Sequence, residues 1–468
     1  MPVGPDTIAA LATPPGAGAV AVIRISGPGA ADVLRAVAPD LPGDAGGVGL
    51  PDDLVRRVRR ARILDPETGD FLDDVLVVAF RAPSSYTGED VVEISGHGGA
   101  LAPALVLDAV LRGGARGAEP GEFTRRAYLN GKMDLVQAEA VLDLVEGRSR
   151  ALHRAAVHQL EGGLSERIAE LRTSLVELEA RLAHHLDFPE EDEPPTPVSV
   201  IADGAAALGG RLLALSRTAP EGILLRKGAL LVLAGSPNAG KSSLFNALAG
   251  EERVLVTDVP GTTRDAVELE VSLGGYPFRM VDTAGLRSTD ELVERLGIEV
   301  AGRYLEAADV VLFCIEAGRE PTPEERGFMQ GLECPCVRIR TKADLVPSAS
   351  SRGGGGHASP TEADEVRVSV RTGEGLSALR DRLAGLVFGG LVATEASAPI
   401  LTRERQARAV RLAAAEVEAF GLGLRAGIPP EVASAHLKTA AGALEEVVGV
   451  VTEDDVLDRV FRSFCIGK

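Results

Sequence analysis

Gly235-Ser236-Pro237-Asn238-Ala239-Gly240-Lys241-Ser242 stands between the apolar run Leu230–Ala234 and a helical pattern, and its reading decides the fold. It matches GxxxxGK(S/T). A glycine-rich turn leading from a strand into a helix aims backbone N–H groups and the positive end of the helix dipole at a phosphate. In that context Ala239, Gly240 and Ser243 supply loop and helix amides, Lys241 reaches the β and γ oxygens, and Ser242 ligates Mg²⁺.

Working outward, the run Phe278–Val281 ends in Asp282-Thr283-Ala284-Gly285. This DxxG pattern places Asp282 on the Mg²⁺ water shell and the Gly285 amide at the γ-phosphate. Between the two motifs, Gly261-Thr262-Thr263-Arg264 offers Thr263 as a second Mg²⁺ ligand. Thr341-Lys342-Ala343-Asp344 follows the run Val337–Ile339 and reads the base. Guanine presents N–H donors to a carboxylate, whereas adenine presents an acceptor that Asp344 would repel, so the pattern selects GTP. Thr341 departs from the usual Asn. Ser369 stands where a loop amide closes over the guanine oxygen, followed by Val370 instead of the expected Ala. After Gly285 comes Leu286, not the glutamine that orients the attacking water in Ras-like proteins. No in-chain arginine finger is evident, though Arg264 and Arg287 stay open. Asn238 either shapes the turn or offers its carbonyl oxygen to a monovalent cation facing the phosphates.

Strand-like and helical runs alternate from about 229 to 386, with strands expected at Leu230–Ala234, Phe278–Val281, Val310–Ile315, Val337–Ile339 and Val366–Val370. That alternation predicts a parallel, doubly wound α/β sheet. Before it, Leu164, Ile168, Leu171, Leu175, Leu178 and Leu182 form one apolar stripe on a long helix ending near Asp187. Helical pattern returns from Arg403, so the α/β part reads as inserted into a helical domain split in sequence. Residues 1–132 mix short β-like runs (Val20–Ile25, Val75–Phe80, Val91–Ile94) with turns, an α+β pattern. The expected divisions are 1–132, 133–227, 228–388 and 389–468. Pro347–Ala363 reads as a surface loop.

Composition sets limits on function. A formal charge of −19 over 468 residues argues against nucleic-acid binding over the whole surface, so any RNA contact needs a local basic patch or a partner. Four dispersed cysteines make no disulfide framework, and Cys334-Pro335-Cys336 lacks metal or redox spacing. No signal or transit pattern opens the chain, and the longest apolar runs fall far short of a membrane span, so a cytoplasmic protein without membrane contact is expected. His184, His185, Asp187 and Glu190–Glu193 are read as a structural helix end, not a metal site.

The flanking blocks are Asp6-Thr-Ile-Ala-Ala10, Ala12-Thr-Pro-Pro-Gly16, Ile23-Arg24-Ile-Ser-Gly27, Tyr86-Thr-Gly-Glu-Asp90, Glu93-Ile-Ser-Gly-His-Gly-Gly99, Gly121-Glu-Phe-Thr124, Leu129-Asn-Gly-Lys-Met-Asp134 and Phe464-Cys465-Ile-Gly-Lys468. With the nucleotide motifs they resemble the MnmE (TrmE) family of tRNA-modification GTPases from end to end. The resemblance implies a 5-formyl- or 5,10-methylene-tetrahydrofolate site in the N-terminal domain, with Arg24, Glu93, Lys132 and Lys468 as contacts. It makes Cys465 a functional thiol with basic neighbours Lys468 and Arg462. It assigns K⁺ to Asn238, Thr257, Val259 and Thr262, and the GTP-binding loop to Thr257, Asp258, Val259, Pro260, Gly261, Thr262 and Thr263. Glu294 becomes the residue that orients water in place of the missing glutamine. The implied assembly is a homodimer joined to an FAD-containing MnmG (GidA)-type partner, in a heterotetramer or larger complex acting on tRNA. Asp458 stands where the family pattern leads one to expect Gly. The main rival is a ribosome-assembly switch GTPase, which needs neither folate nor Cys465. A third reading is a folate-dependent one-carbon enzyme regulated by GTP.

Overall fold

The computed structural model describes residues 6–41, 49–187, 196–251, 268–282, 302–346, 365–393, 398–450 and 454–468. The chain folds into two compact units, residues 1–142 with 448–468, and residues 143–447.

The first unit contains β1 (Ile8–Leu11), β2 (Val20–Ser26), α1 (Ala30–Val37), β3 (Arg59–Leu64), β4 (Phe71–Phe80), β5 (Val91–His97), α2 (Ala102–Arg112), β6 (Arg116–Gly117) and α3 (Glu122–Leu129). Its sheet runs β3-β4-β5-β2-β1-β6, antiparallel except for β1 beside β6. Alternation explains the layering. Val75, Val77 and Ala79 of β4 and Val92 and Ile94 of β5 point to one face and bury with Val33, Leu34, Val106 and Val110 of α1 and α2. The register sets Arg24 opposite Glu93. α4 (Leu135–Glu146) follows, and its Leu135, Ala138 and Leu142 bury with Leu457, Phe461 and Phe464 at the C-terminal end of the chain.

In the second unit come α5 (Arg150–Leu160), α6 (Gly163–Asp187), α7 (Val198–Ser216), α8 (Ala219–Lys227), β7 (Ala229–Gly235), α9 (Lys241–Glu251), β8 (Glu268–Leu273), β9 (Tyr276–Asp282), β10 (Val310–Glu316), α10 (Pro323–Gln330), β11 (Cys336–Thr341), β12 (Glu365–Arg367), α11 (Leu376–Val387), α12 (Gly389–Ala393), α13 (Glu404–Arg425) and most of α14 (Pro430–Val448). The six expected stripe residues of α6 are all buried. α7 packs along α13, so helices before and after the sheet in sequence share one unit. α15 (Asp454–Phe461) belongs to the first unit.

The second sheet runs β12-β11-β10-β7-β9-β8. Three expectations are corrected. The sheet is not wholly parallel: β8, outside the expected set, pairs antiparallel with β9 through a turn at Gly274 and Gly275, both at positive φ. Its weak alternation at a sheet edge hid it. The last strand is three residues, Glu365–Arg367, not Val366–Val370. Past it Val368 still donates to the Arg340 carbonyl at 2.8 Å, Ser369 meets Asp344, and the chain turns from Val370. Val198–Lys227 also has the length and apolar composition of a membrane span, contrary to the expectation that no run approaches one. It is divided between α7 and α8, and its Ile201, Ala205, Leu208 and Leu212 are buried within the second unit. The expected loop Pro347–Ala363 lies outside the described residues.

Candidate functional site

β7 delivers the chain into the loop at Gly235, whose φ is +132°. A Cβ there would lie 2.4 Å from the Cys314 carbonyl oxygen, so the turn requires glycine. Asn238 and Gly240 also take positive φ, +62° and +83°. The Asn238 side chain is exposed and Lys241 is buried. Lys241 Nζ donates to the Gly235 and Ser236 carbonyls, each at 2.8 Å. Ser242 Oγ donates to Asp282 Oδ2 at 2.7 Å, bringing together two oxygens of the kind Mg²⁺ selects. Beneath the loop, burial pushes the Cys314 thiol up to about 12, which makes it inert.

At the end of β11 Thr341 has a definite task. Its Oγ1 donates to the Ala239 carbonyl at 2.7 Å, tying the phosphate loop to β11, and also approaches the Ile315 carbonyl at 3.3 Å. Lys342 adopts a left-handed conformation (φ +54°) and pairs with Glu316 at 3.1 Å. Ser369 Oγ donates to Asp344 Oδ1 at 2.7 Å, and Arg371 Nε lies 3.1 Å from Oδ2. The Ser369 hydroxyl holds the Asp344 carboxyl below the usual range, burial opposing and the backbone and Arg371 assisting. The Ser369 amide, expected to face the base, donates instead to the Glu374 carbonyl at 2.9 Å. Thr257, Asp258, Val259, Pro260, Gly261, Thr262, Thr263, Thr283, Ala284, Gly285 and Glu294 lie outside the described residues, as do Arg264, Leu286 and Arg287.

A second cluster sits in the first unit. Arg24 Nε donates to Glu93 Oε1 at 2.9 Å across the β2–β5 rung, and its Nη1 reaches the Gly467 carbonyl at 3.5 Å. The guanidinium lies between two aromatic faces, 5.3 Å from the Tyr86 ring centre and 5.7 Å from that of Phe123. Tyr86 OH is anchored on Thr124 Oγ1 at 2.9 Å. Burial, with Arg24 beside it, pushes the Lys468 ammonium down, Glu93 and Cys465 opposing. Cys465 is exposed, and its carbonyl accepts from the Gly121 amide at 3.4 Å. Three of the four expected contacts, Arg24, Glu93 and Lys468, therefore meet. Lys132 instead donates to the Pro83 carbonyl at 2.8 Å. Arg462 pairs with Asp458 at 3.7 Å, and Asp458, in α15, also pairs with Arg125 at 3.2 Å. The contacts of Tyr86 and Phe123 with Arg24 were not expected, although both residues stand in motifs visible in the sequence.

A phosphate-loop turn feeding a helix, a serine set against a strand-end aspartate, and a carboxylate at the base end define the class: a P-loop GTPase. Residues 7–132 match the family model described as GTP-binding protein TrmE N-terminus, and residues 135–465 match MnmE helical domain. The tRNA modification GTPase MnmE of Moorella thermoacetica is 41% identical over 470 residues, covering 99% of each chain. That of Heliobacterium modesticaldum is 40% identical over 475 residues and that of Laribacter hongkongensis 42% over 472, again with 99% of each chain covered. The chain belongs to the MnmE family of tRNA modification GTPases.

Proposed function

We propose that this chain is a K⁺-activated GTPase that works with an FAD-dependent MnmG-type partner to place an aminomethyl or carboxymethylaminomethyl group on C5 of the wobble uridine of certain tRNAs. The observation that carries the GTPase half is the paired geometry of Ser242 with Asp282 and Ser369 with Asp344 around one sheet. Ser242, with Thr263, would hold Mg²⁺, which spreads phosphate charge as it transfers. Lys241 and the loop amides grip the β and γ oxygens, while Asp344 accepts from the guanine edge. Asn238, with its exposed side chain on the loop, would hold K⁺ together with Thr257, Val259 and Thr262, in the place of an arginine finger. Glu294 orients the water that Leu286 cannot.

The folate reading is supported by the donor set: Arg24 and Lys468 suit carboxylates, and Glu93 can accept from an amino group. A tetrahydrofolate there would supply the one-carbon unit, with Lys132 a further contact and Cys465 the nearby thiol. The four divisions of the chain, homodimerisation, the cytoplasmic setting and coupling of GTP turnover to a conformational cycle belong to the same proposal. Mass spectrometry of tRNA nucleosides from a strain lacking the protein decides it: normal wobble-uridine modification would sink the reading. GTP turnover equal in Na⁺ and K⁺ would remove the K⁺ assignment, and normal modification with Cys465→Ser would remove the thiol's role.

A further inference from the structure

α5 in the second unit is not used by the nucleotide chemistry. Arg150–Leu160 contains no acidic residue, in a chain whose formal charge is −19. Arg150, His153 and Arg154 are all exposed. Spacings of three and four put them on one helix face, while Ala151, Leu152 and Ala155 bury against the second sheet. The neighbouring Arg148 is committed to Glu270. Among the described residues, no hydrogen bond or ion pair engages the Arg150 or Arg154 side chain. Cations without counter-charges are the ones free to take phosphate.

Beside this face opens a cleft of about 140 Å³, lined by Arg154, His158, Tyr276, Val392 and Ile400. Gln159, 2% exposed, also lines it. Its Nε2 donates to the Ile400 carbonyl at 3.1 Å and Thr402 Oγ1 at 3.3 Å, which fixes the amide's orientation. Among the described residues Oε1 is buried without a partner. Leaving a buried acceptor unmet is unfavourable, so a donor that enters the cleft would be favoured there. A cavity of about 150 Å³ accommodates a benzene ring, so one pyrimidine ring matches the cleft in size.

We infer that this face is an RNA contact, with backbone phosphates on Arg150 and Arg154 and one unstacked pyrimidine in the cleft, its ring N–H donating to Gln159 Oε1. The inference rests on the tRNA-modification reading and says which surface of this chain meets the tRNA. Single-stranded loops splay bases out of the stack, which a duplex does not. The surrounding negative charge would repel RNA elsewhere and confine contact to this face.

The test is tRNA binding by the full chain across a salt series. Arg150→Glu with Arg154→Glu should weaken binding at least ten-fold and lower the salt slope by about 1–2. The same charge change at Arg217 and Arg411, exposed elsewhere in the second unit, should cost less than two-fold. Val392→Trp, filling the cleft from its exposed rim, should weaken binding three- to ten-fold with the slope unchanged. Wild-type GTP turnover in each variant reports an intact fold. Equal losses from both charge pairs, or no salt-dependent binding by the wild type, overturn the inference. An unchanged Val392→Trp affinity removes its pyrimidine half. None of these outcomes touches the proposed function, which fails separately if wobble modification persists in the deletion strain.

Discussion

At the residue scale, Thr341 gains a meaning that its departure from Asn obscured. One hydroxyl proton ties β11 to the Ala239 carbonyl. Thr341→Val keeps the shape and leaves that carbonyl unmet, a cost of about 1–2 kcal/mol. Guanine-nucleotide affinity should fall roughly ten-fold by fluorescence titration, with GTP preferred over ATP as before, because Asp344 is untouched. Tyr86 invites a similar experiment. Its ring forms one face of the Arg24 clamp, a contact worth about 0.5–2 kcal/mol. Tyr86→Leu should weaken 5-formyl-tetrahydrofolate binding three- to ten-fold in calorimetry, Tyr86→Phe much less, and GTP turnover should not change in either.

At the element scale, the ends of helices and of the chain are held by a few contacts. Asp143, 2% exposed, pairs within the second unit with Arg403, at the N-terminal cap of α13, at 2.7 Å and with Arg226 of α8 at 3.2 Å. Removing one partner of such a buried group leaves the other charges uncompensated. Asp143→Ala should therefore cost about 3 kcal/mol, read as a fall of several degrees in Tm. The C-terminal segment depends on Gly467, with φ +98° and the place of a Cβ only 2.3 Å from the Leu11 carbonyl oxygen. Gly467→Ala should lift the last residues away, and a carboxypeptidase should then release Lys468 faster than from the wild type. The turn requirement at Gly467 was hidden in the sequence, since the opposing atom belongs to β1.

At the scale of the whole molecule, acid stability tests the polar core of the first unit. Arg116 lowers the Asp6 carboxyl, with Arg126 assisting against burial. Burial alone would raise Glu122, but Arg116, the Glu119 amide and Arg126 outweigh it. Carboxyls lowered in the folded state contribute stability above their unfolded value of about 4, and that stability is lost as pH falls through the folded value. Glu122→Gln should lower Tm at neutral pH, and its difference from the wild type should shrink as the medium is taken below about pH 4.

The sequence by itself determined the strand–loop–helix at Gly235–Ser242, the apolar stripe of α6 and the strand that ends just before Asp344. In each, the chemistry depends on neighbours a few residues apart, and local spacing records it. The β8 edge strand, the short β12 and the Ser369 hydroxyl's bond to Asp344 were decided only by tertiary structure. So were the aromatic clamp on Arg24 and the unmet oxygen of Gln159. The last three depend on an atom distant along the chain: Asp344 takes the Ser369 hydroxyl, Phe123 closes on Arg24, and Ile400 turns the Gln159 amide. Periodicity and motif spacing carry no term for such pairs, because burial and hydrogen-bond satisfaction are properties of the packed chain.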